Sequence, residues 1–177
     1  MNTDTRTDWI RKRRSIRQYT GEQISDHELK ELLRAAMVAP SAVNKQPWHF
    51  IVLDDRTLLR RVPEFHPNAS FVSDASHAIV VCVDEKLQHD EGYGLLDCSA
   101  ATENLLLAAH SMDLGACWIG IYPREGRINA LRDMLHTPDH VMPFAMISLG
   151  RPAEEKPEAD RYRPERIHRN KWGTPLE

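Results

Sequence analysis

The sequence predicts a single domain in which one β-sheet is covered by helices on both faces. Three observations carry that expectation. The chain has 177 residues, enough to bury one good core. Helix-like and strand-like apolar patterns are interleaved along it. Residues 78–83 (AIVVCV) form a continuous apolar run, which suits a strand buried on both faces.

Each element follows from local chemistry. A short helical pattern covers residues 4–14, with Trp9 and Ile10 as apolar anchors. In the second helix Ser25 is the N-cap, and Asp26 and Glu28 complement the positive end of the dipole. Leu29, Leu32, Leu33, Ala36 and Met37 share one face, and Pro40 stops the run. Residues 48–53 alternate and contain Ile51 and Val52, as a strand does. A short helix over 54–61 leads into irregular chain around Pro63 and Pro67. Residues 95–112 are apolar on most of the helical circumference and make a core helix, with Gly115 ending it in the C′ region. A third strand is expected at 116–119, a helix at 124–135 just after Pro123, and a fourth strand at 142–149.

The final stretch, 151–177, differs in kind. It holds seven basic and six acidic residues, yet Tyr162, Ile167 and Trp172 recur through it. Large apolar side chains spaced so evenly indicate an arm that packs on something rather than a disordered tail. The domain proper is therefore 1–150, with 151–177 an arm of the same domain. No internal repeat is present.

Composition excludes several classes. A formal charge of −3 does not suit a surface built for nucleic acid or an anionic membrane. No apolar run reaches the roughly 18 residues that a spanning helix needs. The polar N-terminus lacks the pattern of a secretory signal. Cys82, Cys98 and Cys117 are odd in number and far apart in apolar stretches, which reads as reduced, buried and inert thiols in a cytoplasmic protein. The nine histidines make no HExxH and no ligand-spaced cluster, so no metal is expected. Neither a GxSxG nor a cysteine with a base at recognisable spacing appears, so hard chemistry would need a cofactor.

Four segments carry candidate chemistry. Arg13, Arg14, Ser15, Ile16 and Arg17 lie in a run of five basic residues between 11 and 17. Three readings stand beside one another: a nucleic-acid or import patch, a solvated helix end, and an anion clamp. In extended chain, residues 13, 15 and 17 point the same way, and a guanidinium bonds two phosphate oxygens at once. Residues 39–48 (APSAVNKQPW) are a plain turn by composition. Their Ser41, Asn44 and Gln46 also place amides and a hydroxyl beside a tryptophan, a set suited to a flat heteroaromatic ring. Asn68 is followed by Asp74 and His77, which organise the turn before the buried strand. Residues 114–120 (LGACWIG) read as a helix end and a core strand, and their lack of GxGxxG leaves no separate dinucleotide site.

Taken in order, these motifs resemble the nitroreductase family. RRSIR, then PSAxNxQPW before a strand, DASH before an apolar strand, DxxxAxxNLLLAA, GACWIG and a closing LGRP span nearly the whole chain, from about residue 10 to 172, as in a short member. The resemblance implies an α+β fold, a three-layer α-β-α arrangement with a mixed or antiparallel central sheet, in an intertwined homodimer. It implies FMN in two interfacial clefts, with NADH or NADPH as donor. The 151–177 arm would wrap the partner, and the 95–112 helix would lie at the dimer core.

The same resemblance assigns residues. Arg13 reaches the FMN phosphate, with Arg14 in the same motif and Ser15 at the phosphate or ribityl chain, while Arg17 lies at the pyrimidine edge. A cation there would offset charge gained on reduction. Pro40, Ser41 and Ala42 line the ring or ribityl chain from the other subunit, with Asn44 and Gln46 as neighbours. Asn68 bonds the pyrimidine edge, and Phe71 stands where some members carry lysine. Trp118, Ile119 and Gly120 bring backbone to flavin N5. Arg161 or Arg163 completes the phosphate site. Flavin N5 carries the chemistry, with no catalytic side chain: a hydride passes from NAD(P)H to an electron-poor small-molecule acceptor, such as a nitroaromatic or quinone, in a ping-pong cycle. The alternatives are a specialised flavin-dependent member of dehalogenase or flavin-destructase type and a non-catalytic FMN-binding protein.

Overall fold

The computed structural model describes residues 5–176. The predicted start of the first helix at Asp4, and the N-terminal residues that bear on a leader, lie outside them.

A four-stranded antiparallel sheet in the order β1-β2-β4-β3 forms the middle layer. Its strands are β1 (Trp48–Leu53), β2 (His77–Asp84), β3 (Gly115–Gly120) and β4 (Val141–Gly150). Central β2 is buried along its whole length, as its unbroken apolar run requires. Side chains of successive strand residues point to opposite faces, which divides β2 between two cores. Ile79, Val81 and Val83 pack against helices α2 (Asp26–Met37) and α4 (Tyr93–Ser111). Ala78, Val80 and Cys82 pack against α3 (Arg56–Phe65), α5 (Glu125–Leu135) and the 3₁₀ stretch Pro67–Asp74. Helices cover both faces, as expected. Pro143 is tolerated within β4 because the β2–β4 register shifts there, between Val81 and Cys82.

Several element ends differ from the expectation. The third helix starts at Arg56, because Asp55 is its N-cap and accepts from the Thr57 N–H at 2.7 Å. It then runs through Pro63 to Phe65. Gly115 does not end α4. Asp113 takes the left-handed turn, with φ 57°, and Gly115 opens β3. Asx side chains tolerate that region better than most residues. Ser25 caps α2 as predicted, in a reciprocal capping box with Glu28.

The first helix is only Asp8–Lys12, preceded by the 3₁₀ turn Thr5–Thr7. Its Trp9 and Ile10 are about half-exposed, so they do not anchor into this chain's own core. Beyond α1 (Asp8–Lys12) the chain runs extended along the outer side of β3, where Ser15 bridges Ala116 in parallel and the Ile16 N–H donates to the Ala116 carbonyl at 3.0 Å. Two glycines make room for it: a Cβ on Gly115 would lie 2.8 Å from Ile16 Cγ2, and one on Gly150 would lie 2.6 Å from the Tyr19 ring. The arm begins on this same segment. The Ala153 N–H donates to the Gln18 carbonyl at 2.9 Å, and the Thr20 N–H to the Arg151 carbonyl at 3.0 Å. Farther out its large side chains are left uncovered, with Trp172 91% exposed and Tyr162 67%.

Candidate active site

The site begins with an edge. Among the described residues, β3 pairs with β4 on one side only, and its other side carries the 15–16 segment at Ala116 alone. Successive residues of a strand direct their N–H and C=O groups to opposite edges, so every second residue shares an edge. Ala116 faces the outer edge, so Trp118 and Gly120 do as well. Past the bridge, that edge opens into a pocket of about 190 Å³ lined by Arg17, Asn68, Phe71, Trp118, Ile119 and Gly120, with His66, Ala69 and Cys117 completing the wall. A Cβ on Gly120 would meet nothing within 4 Å, so the space over this strand end is open.

Arg17, Asn68 and residues 118–120 thus line one pocket, while Ser15 lies two residues before Arg17 on the segment bridged to Ala116. The Ser15 hydroxyl lies against the Cys117 thiol. Burial pushes that thiol's pKa up, with Arg17 and Ser15 opposing the shift. Arg17 sits over the Phe71 ring at 5.7 Å from its centroid, a cation–π contact that aims the guanidinium along the pocket wall.

Arg13 lies elsewhere. It lines a cleft of about 680 Å³ with Arg11, Arg14, Arg161 and Tyr162, and its Nε pairs with Glu103 Oε1 at 3.6 Å. Arg14 shares that cleft, but its guanidinium is a tether: it donates to the carbonyls of Pro157 at 2.8 Å, Arg11 at 2.8 Å and Arg13 at 2.5 Å. Of the two tail arginines, Arg161 joins Arg13, while Arg163 turns back onto the Tyr162 carbonyl at 2.8 Å.

Pro40, Ser41, Ala42, Asn44 and Gln46 line neither cavity. Their loop is held by other means. Asp97 of α4, itself buried, accepts from the Ala42 N–H at 3.0 Å through Oδ1, while its Oδ2 is buried without a partner. Ser41 Oγ accepts from the Gln46 N–H at 2.9 Å, and Gln46 Nε2 donates to Asn44 Oδ1 at 3.0 Å. Val43, Asn44 and Gln46 all take positive φ (50°, 56° and 51°), unusual for residues with a Cβ and most of all for a β-branched one. The turn before β2 is organised by Arg56, which donates to the Ser73 and Ala75 carbonyls, and by a 2.6 Å contact of Ser76 Oγ with His77 Nδ1. Among the described residues, no group of three or more His, Cys, Asp and Glu side chains could hold a metal ion.

From sequence, His66, Cys117 and Asp97 have no role at the site. His66 stands two residues before Asn68, and Asp97 is the aspartate of the DxxxAxxN motif, so both had a signal in the chain.

The fold and the open β3 edge define a class: an α/β/α protein with a ring-sized pocket at the free edge of an antiparallel sheet. The model of the "Nitroreductase family" matches residues 10–68 and 66–151, and the chain belongs to that family. A relative from Archaeoglobus fulgidus, named "Putative NADH dehydrogenase/NAD(P)H nitroreductase", is 51% identical over 164 residues, 90% of this chain and 94% of its own length. A solved structure of the same name from Parabacteroides distasonis is 38% identical with a TM-score of 0.91, covering 96% of this chain and all of that one. Another, a "putative nitroreductase in complex with fmn" from Desulfovibrio desulfuricans, is 32% identical with a TM-score of 0.79, covering 91% and 94%.

Proposed function

We propose that this chain is an FMN-dependent oxidoreductase that works as a cytoplasmic homodimer. The observation that carries the reading is the β3 edge. Outward-facing Trp118 and Gly120 backbone meets an open space walled by a cation, an amide and aromatic rings. That donor set suits a flat heteroaromatic ring with polar edges. The FMN-bound relative from Desulfovibrio desulfuricans supports the choice of ring.

Bound there, FMN would supply hydride chemistry between NADH or NADPH and an electron-poor acceptor, such as a nitroaromatic or quinone, by a ping-pong mechanism. The residues of this chain do the rest. Arg17 places positive charge where the ring gains electrons, and Asn68 hydrogen-bonds its polar edge. Gly120 keeps backbone close by having no side chain. Arg13, with Arg161 across the larger cleft and Ser15 two residues farther along the chain, holds the phosphate end. Arg14 fixes the arm that brings Arg161 into place.

The dimer explains what one chain leaves over. Trp9, Val38, Leu107 and Ala108 line an apolar surface groove of about 310 Å³ at the α1–α2–α4 face, the kind of patch that a second copy covers. The loop 40–46, held from below by Asp97, then serves the partner's pocket, and the 151–177 arm lays Tyr162 and Trp172 on the partner.

The experiment is direct. The purified protein should be yellow, release about one FMN per chain on heating, and oxidise NAD(P)H when a nitroaromatic or quinone is added. A colourless protein that also rejects added FMN overturns the reading.

A further inference from the structure

The carbonyl of Gly120 is gripped from outside the strand it ends. Arg127 of α5 donates to it from Nη1 at 2.7 Å. The ring of His66 faces the same oxygen. His66 is well placed for this because its own backbone is held on both sides. Its N–H donates to the Val62 carbonyl at 3.0 Å, and its carbonyl accepts from the Ala69 N–H at 2.8 Å. Its side chain is buried in the pocket wall, where the ring lies against the Gly120 carbonyl and its own backbone. Burial and the neighbouring Arg127 push the His66 pKa below its ordinary 6.5, so the ring is neutral near pH 7.

In an extended strand the N–H and C=O of one residue project to the same edge. Whatever holds the Gly120 carbonyl therefore also sets the direction in which its N–H meets the pocket. Glycine provides room for a ring but also has the widest backbone freedom, so an unheld Gly120 would lose that direction. Two donors on one carbonyl restore it. They also occupy the carbonyl's lone pairs, so that the N–H is the group a ligand atom meets.

We propose that His66 and Arg127 are positioning residues, a two-sided clamp on the Gly120 carbonyl that orients the Gly120 N–H toward the reacting ring. The identity of that ring rests on the function proposed above; the clamp is a property of the chain itself. Arg127 lies outside the pocket and His66 in its wall, and both act through Gly120.

The test uses the protein as purified and four variants, Arg127→Met, Arg127→Lys, His66→Phe and His66→Gln. Two readouts are taken. One is amide hydrogen exchange at Tyr122, whose N–H donates to the Phe144 carbonyl at 2.9 Å two residues past the clamp, beyond the end of β3. The other is the stopped-flow rate of flavin bleaching by NAD(P)H. Arg127→Met and His66→Phe should speed the exchange and slow the bleaching, each about tenfold, with the bleaching rate taken per bound FMN. Lysine and glutamine, which keep a donor, should restore most of both. Wild-type exchange and bleaching in the two donor-less variants would overturn the clamp, as would variants with lysine or glutamine as impaired as those with methionine or phenylalanine. A wild-type protein without FMN would overturn the proposed function instead, and the exchange measurement would then decide the clamp alone.

Discussion

The phenol of Tyr19 and the hydroxyl of Ser148 lie 2.6 Å apart, and the same phenol donates to the Ile16 carbonyl at 2.8 Å. This pair fastens the segment carrying Ser15 and Arg17 to β4, across the small residue Gly150. Burial is the main reason the Tyr19 pKa is raised, so it stays a phenol at any working pH. Tyr19→Phe would leave the buried Ser148 hydroxyl and a carbonyl short of a partner. The expected loss is about 1–3 kcal/mol, read from urea denaturation. FMN affinity should fall with it, because Arg17 would be less firmly placed. A variant with wild-type stability would show that the contact contributes nothing net.

Phe71 holds Arg17 by its ring and adds no charge of its own. Phe71→Lys would put a second cation on the same wall. A cation beside the ring favours the more negative, reduced state, so the flavin midpoint potential should move to more positive values in a spectroelectrochemical titration. An unchanged potential would remove Phe71 from the site.

Asp97 supports the strained loop 40–46 through one hydrogen bond to Ala42. Asp97→Ala should destabilise by about 1–3 kcal/mol and expose that loop to limited proteolysis. Asp97→Asn keeps an acceptor for Ala42 and should resist cleavage as the wild type does. Equal cleavage of the alanine variant and the wild type would show that the loop holds itself.

Stability should fall on acidification. Burial lowers the pKa values of His66, His77 and His110 below their ordinary 6.5 in the fold. Below about 6.5 the unfolded chain then binds protons that the folded one does not, so stability is complete above that pH and is lost progressively beneath it. The melting temperature should decline between about pH 7 and pH 5, and His77→Gln should flatten that decline. A melting temperature constant over this window would contradict the burial of these rings.

Local chemistry was enough for the elements and their layers. The N-cap at Ser25, the stripe Leu29, Leu32 and Ala36 of α2 and the unbroken run of β2 are short-range patterns and appeared where they were placed, whereas Met37, read onto the same face of α2, is half-exposed. Helix ends were less legible. Asp55 and Asp113 set two of them, and both compete with neighbours that carry equally good signals, Asp54 and Gly115.

The site divides along the same line. By itself the sequence determined which residues carry suitable groups: the RRSIR guanidinium groups, Asn68, and the GACWIG backbone that ends in a glycine. Only the tertiary structure decided their partners. It set Arg17 on Phe71 in the β3 pocket, sent Arg13 to Glu103 and the larger cleft, spent Arg14 on three carbonyls, and chose Arg161 over Arg163. The reason is physical. A side chain's reach is a few ångströms, whereas Arg17–Phe71, Arg13–Glu103 and Arg14–Pro157 join residues 54, 90 and 143 positions apart. A pattern read along the chain records what each residue can bond. Which bond it makes depends on what the fold brings within that reach.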